Sequence, residues 1–260
     1  MTNIDVMINE MSNICAACST HPNFIESIFS HIDYNKTICN EKHRLAYNYY
    51  YKKVNNFNLI QLYSNLNYHN KENCNITILR KSNILIVNFS CKYYPYKYFE
   101  NTMKYNDGYI MKFIYDIYIS LEQIIHIIVR HSTYLDTIYF TGHHIGGCIA
   151  QFFCFRMIQL YNINSICITF GSPAFVNNHL KNIIQETIKN LYNYIEINDP
   201  ILNRPKFNNF KFINKINVNN KIDIEEKYYI NKFDPYYYMF LINLRNSIDC
   251  HIQHNEQKSS

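Results

Sequence analysis

The chain has 260 residues, 48% of them hydrophobic, which suits one domain with a sizeable core and excludes global disorder. A net charge of +5 is mild and its Lys and Arg residues are scattered, so no nucleic-acid module is present and attraction to an anionic membrane surface is weak. The 25 Tyr and 17 Phe beside no Trp, with abundant Asn, Ile and Lys, fit the codon bias of an AT-rich genome more than a function.

Met1 to Glu10 carries Asp5 and Glu10 and lacks an apolar run, so no secretory signal is visible and an intracellular location is expected. Nine cysteines in such a chain are expected to be reduced and mostly buried. Cys15-Ala16-Ala17-Cys18 has no partner pair at zinc-finger spacing and no strand-based redox context, which makes it structural. Phe24 to Tyr51 reads as helical, with Pro22 near its start, and residues 1–70 as an N-terminal helical segment packed on the core. The β-branched runs Asn75–Leu79 and Ile84–Phe89, separated by Arg80–Asn83, predict a hairpin. A tyrosine-rich loop is expected from Cys91 to Asp107. Its Tyr93–Tyr98 portion suits a lid or lipid-facing surface, or equally a codon-biased loop. A long helix is then expected to open near Gly108-Tyr109. Lys112, Asp116, Glu122 and His126 interrupt its apolar stretch Ile110–Val129, so it is amphipathic or buried and not a membrane span.

Regular alternation follows. Strand Ile138–Thr141 leads to helix Ile145–Tyr161, strand Ile166–Phe170 to a helix near Val176–Asn190, and then comes strand Tyr192–Ile197. This pattern predicts an α/β fold, a mostly parallel sheet covered by helices. Functional groups in such sheets gather past the carboxyl ends of strands, which is where His144, Ser172 and Asp199 fall. Residues 71–255 form the main domain and 256–260 a frayed tail, one domain overall.

Gly142-His143-His144-Ile145-Gly146, set between a strand and a helix, has the outline of a G-x-S-x-G nucleophile elbow with His144 at the serine position. Thr141-Gly142-His143-His144-Ile145-Gly146-Gly147-Cys148 and Thr169-Phe170-Gly171-Ser172-Pro173 are similar to two motifs, T-G-H-S-L-G-G-A and T-F-G-x-P. Both belong to the fungal-type (class three) lipases, and the chain resembles that family from about Ile76 to His251. The resemblance implies an α/β-hydrolase fold acting on a lipid or fatty-acid ester, with peripheral membrane contact and no cofactor. It sets no oligomeric state. It also implies Asp199, in Asp199-Pro200-Ile201, as the acidic triad member and His251 as the late histidine, with His254 the runner-up. The oxyanion position falls on Ile145 and on Lys92, since Ser90-Cys91-Lys92 stands where the family has R-G-T or R-G-S. His143 is expected to pack.

In triad chemistry, losing the serine costs about 10⁶ in turnover. Weakening one oxyanion donor removes roughly 10²–10³ more, although the losses do not add simply. The expectation is therefore a catalytically impaired or inactive pseudoenzyme on a lipase scaffold. The alternative is an active triacylglycerol or carboxylester hydrolase that uses His144 as base, ligand or nucleophile. Histidine is among the side chains enriched at positive φ, so the turn tolerates it. A helix N-terminus favours the neutral imidazole. Such an imidazole could share a metal with His251, and Asp199 could serve as ligand or support. Two hydrogen-bonded imidazoles are the expected arrangement, and no metal is assigned.

Overall fold

The computed structural model describes residues 3–18, 22–30, 51–52, 54, 56–68, 72–91, 101–132, 135–196 and 215–218. Its centre is a run of parallel strands: β3 (Ile84–Cys91), β6 (Thr137–His143), β7 (Ser165–Phe170), β8 (Asn190–Glu196) and β9 (Lys215–Val218). Two antiparallel strands, β1 (Asn58–Tyr68) and β2 (Glu72–Lys81), extend it beyond β3, so the seven strands run β1-β2-β3-β6-β7-β8-β9. In β3 every residue after Ile84 is buried, as a strand covered on both faces requires. The register is continuous, with Val87 beside Phe140, Phe140 beside Cys167, and Cys167 beside Leu191.

Side-chain alternation divides the core into two layers. Leu85, Val87, Phe89, Ile138 and Phe140 point toward α5 (Ile145–Tyr161) and its neighbours α3 (Lys112–Ser120), α4 (Glu122–Ser132) and α6 (Asn178–Thr187). Ile86, Tyr139, Ile168 and Phe170 point the other way, against α1 (Asn3–Cys18) and α2 (Pro22–Phe29), whose Met11, Ile14 and Phe29 are buried there. From Ile145 to Phe155 every residue of α5 is buried. A helix enclosed all round its first three turns is a central element, and this one starts at the strand ends.

The hairpin, the β6–α5–β7–α6–β8 alternation and the parallel sheet follow the sequence reading, the turn being tighter at Ser82-Asn83. Four details differ. The expected helical segment 1–70 ends in a strand, β1, whose apolar positions at Leu59, Leu62 and Leu66 are interrupted by Asn and Gln between them. The expected loop to Asp107 contains β4 (Thr102–Tyr105), which pairs with β5 (Gly108–Met111) around Asn106-Asp107. The single helix expected from Gly108 becomes β5, α3 and α4, because the chain kinks at Leu121, whose N–H turns back to Tyr118 O at 3.0 Å. The cysteines are not all reduced: Cys74 and Cys91 face each other across β2 and β3, Cα atoms 4.3 Å apart, and are joined by a disulfide. Of the expected helix Phe24–Tyr51, α2 is described, whereas residues 31–50, like 92–100, 197–214 and 219–260, lie outside the described residues. No described helix is long and apolar enough to cross a membrane.

Cys15 and Cys18 are buried between α1 and the sheet, and Cys15 Sγ lies 3.1 Å from Thr141 Oγ1. Burial pushes the Cys15 thiol up to about 12, and it raises Cys18, Cys148 and Cys167 as well. A thiol whose folded pKa lies above its unfolded value of about 8.5 gives its full contribution below that pH and loses it as pH rises. Stability is therefore expected to hold to about pH 8.5 and then to fall toward pH 12, each thiol adding up to about 1.4 kcal/mol per pH unit. Urea unfolding between pH 7 and 10.5 checks this, and the slope should shrink in Cys15→Ala.

Candidate active site at the elbow

β6 ends at His143, and the next residue turns the chain sharply into α5. His144 has φ 54° and ψ −118°, a conformation that is neither strand nor helix. Held at positive φ, a non-glycine residue costs on the order of 1–3 kcal/mol, so surrounding contacts must impose it. They do so on both sides. The His144 N–H donates to Phe170 O at the end of β7 (2.9 Å), while its carbonyl accepts from the N–H groups of Gly147 (3.0 Å) and Cys148 (3.2 Å).

Two glycines make the turn sterically feasible. A Cβ on Gly146 would strike the carbonyl of Phe89 in β3, and one on Gly142 would strike the carbonyl of Gly146. The helix thus begins in backbone contact with both its own strand and the neighbouring one. That approach fixes where the side chain of residue 144 emerges.

The His144 side chain is buried, its ring centroid 6.2 Å from that of His143 at 50° between planes. Ile145 opens α5 and is buried. Ser172 follows Gly171, itself at φ 58°, in the turn after β7; it is buried and forms no elbow. The structure therefore brings His144, Ile145 and the Ser172 turn to one end of the sheet. Lys92, Asp199, His251 and His254 lie outside the described residues. Among the described residues no three His, Cys, Asp or Glu side chains gather as a metal site.

Sequence reasoning missed a set of buried polar side chains beside the elbow: Gln151, Thr169 and Asn193. Their only signal is local. Gln151 breaks an apolar helical run, and Asn193 sits between two tyrosines.

The family described as lipase (class 3) matches residues 80–209. No match is found among curated proteins. The fold is similar to that of a lipase from Rhizopus microsporus var. chinensis, at 17% identity over 81% of this chain and 72% of that one, TM-score 0.57. It is similar also to the triacylglyceride lipase of Rhizomucor miehei (14%, 81% and 78%, TM-score 0.58). A third likeness, to lipase II from Rhizopus niveus, has 16% identity over 81% and 78% of the two chains, TM-score 0.58.

Because the Gly146 contact is with backbone, no side chain can move aside to admit a methyl group. Gly146→Ala is expected to destabilise the protein by about 3 kcal/mol, at the upper end of overpacking costs. Chemical denaturation checks it.

Proposed function

Given that the chain belongs to the class 3 lipase family, with its α/β-hydrolase fold, we propose that it is a catalytically impaired or inactive lipase. In this reading it keeps a site for a fatty-acid ester or related lipid and has lost the attacking hydroxyl. The observation that carries this is His144, held at φ 54° between β6 and α5 where a nucleophile elbow presents serine.

The residues assigned to the site have distinct roles. The Ile145 N–H, at the first position of α5, would face an oxyanion, joined by the backbone N–H of Lys92. Asp199 and His251, or His254 in its place, would supply the acid and base. His144 occupies the nucleophile position, and the positive end of α5 favours its neutral imidazole. A neutral imidazole carries no proton-relayed hydroxyl, so the acyl-serine route is closed. Peripheral contact with a lipid surface belongs to this reading.

Hydrolysis of short- and long-chain fatty-acid esters by the wild type, His144→Ser and His144→Ala tests it. The wild type and His144→Ala should be inert, and His144→Ser should gain activity on the order of 10³-fold, less than the full 10⁶ because the Lys92 segment departs from the family pattern. Wild-type hydrolysis that disappears in both variants would overturn the reading and make His144 a working catalytic group.

A further inference from the structure

Four polar side chains with no exposure to solvent meet beside the elbow: Gln151 of α5, Thr169 of β7, Ser172 of the following turn and Asn193 of β8. The three on regular elements are joined in a chain that Ser172 enters through its backbone, its own Oγ and Gln151 Oε1 taking no hydrogen bond among the described residues. Gln151 Nε2 donates to Thr169 Oγ1 (2.8 Å), and Thr169 Oγ1 donates to Asn193 Oδ1 (3.1 Å). The Asn193 carboxamide then treats Ser172 as a strand would. Its Oδ1 accepts from Ser172 N–H and its Nδ2 donates to Ser172 O, both at 3.3 Å.

Buried polar groups are costly unless paired, and an apolar group of similar shape would pack in such a place without that demand. What the carboxamide adds is register. β7 and β8 pair only as far as Phe170 and Tyr194 along this edge, and Gly171 N–H still reaches Tyr194 O at 2.7 Å. Past that point Asn193 continues the pairing through its side chain, from the face that α5 covers. Phe170 O holds the His144 N–H, so the turn that Asn193 grips leaves directly from the residue that holds the elbow. β8 ends at Glu196 and the chain continues toward Asp199.

We propose that Asn193 is a positioning residue: through Ser172 and Thr169 it sets the ends of β7 and β8 against the elbow, and so fixes how residue 144 is held by Phe170. The proposal rests on the reading of the site given above. It requires both the donor and the acceptor of the carboxamide. Leucine would fill the space and release the turn; aspartate would keep the acceptor and lose the donor to Ser172 O.

Asn193→Leu and Asn193→Asp are compared with Ile78→Val, a destabilising change in buried β2 away from the clamp. In the wild-type background the readout is the His144 ring resonance by NMR in the folded protein. In the His144→Ser background it is kcat and KM for a fatty-acid ester. Both Asn193 variants should shift the His144 resonance, and Ile78→Val should leave it in place. In the serine background Asn193→Leu should lower kcat at least tenfold with KM within about twofold, and Asn193→Asp should fall between. An unmoved resonance in a folded Asn193→Leu, whatever its melting temperature, would overturn the proposal. The resonance decides this even if the serine variant gains no activity, an outcome that would count against the impaired-lipase reading alone.

Discussion

The contact of α5 with the backbones of β3 and β6 is the constraint on which the rest of the site depends. Gly146 lies against Phe89 O, Gly142 lies against Gly146, and the carbonyl of His144 caps the first turn. Hydrogen bonds on both sides of residue 144 leave it no relaxed conformation while the sheet and helix stay together. The positive φ is therefore a property of the scaffold, imposed on whichever residue stands there. With ψ at −118° it lies outside the left-handed helical region where histidine is enriched, so His144 bears the strain as another side chain would.

In the proposed reading, shape and chemistry come apart at one position. The parallel strands, the enclosed α5 and the glycine contacts form an elbow whose geometry does not depend on a hydroxyl. Acyl transfer does depend on it, because the attacking atom is supplied by that side chain alone. The class 3 lipase family match covers residues 80–209, which include the elbow and the T-F-G-S-P turn. The match fixes the family. It does not fix turnover.

Much of the scaffold was legible in the sequence because it is written in local patterns. The Ile84–Phe89 run, the strand before Thr141 and the apolar stretch from Ile145 each carry their own period and their own glycine or turn boundary. Other features were not local. β1 alternates with Asn and Gln that blur its apolar pattern, and the β4–β5 hairpin hides among tyrosines whose abundance is compositional. The Cys74–Cys91 disulfide depends on the register of β2 against β3, which no spacing rule supplies. Asn193, Thr169 and Gln151 look like isolated polar residues until three elements bring them together in one buried chain. For the site, the elbow and turn motifs point to His144, Ile145 and Ser172, and Asp199 and His251 rest on resemblance.

The central claim is that the elbow survives intact and only its attacking atom is missing. Intact mass spectrometry after exposure to a long-chain alkyl p-nitrophenyl phosphonate tests this most directly, because a positioned serine hydroxyl displaces p-nitrophenolate and keeps the phosphonyl group. The account predicts a single adduct, mapped to position 144, in His144→Ser and none in the wild type. An adduct on His144 of the wild type, or a folded His144→Ser that takes up no label, would contradict it.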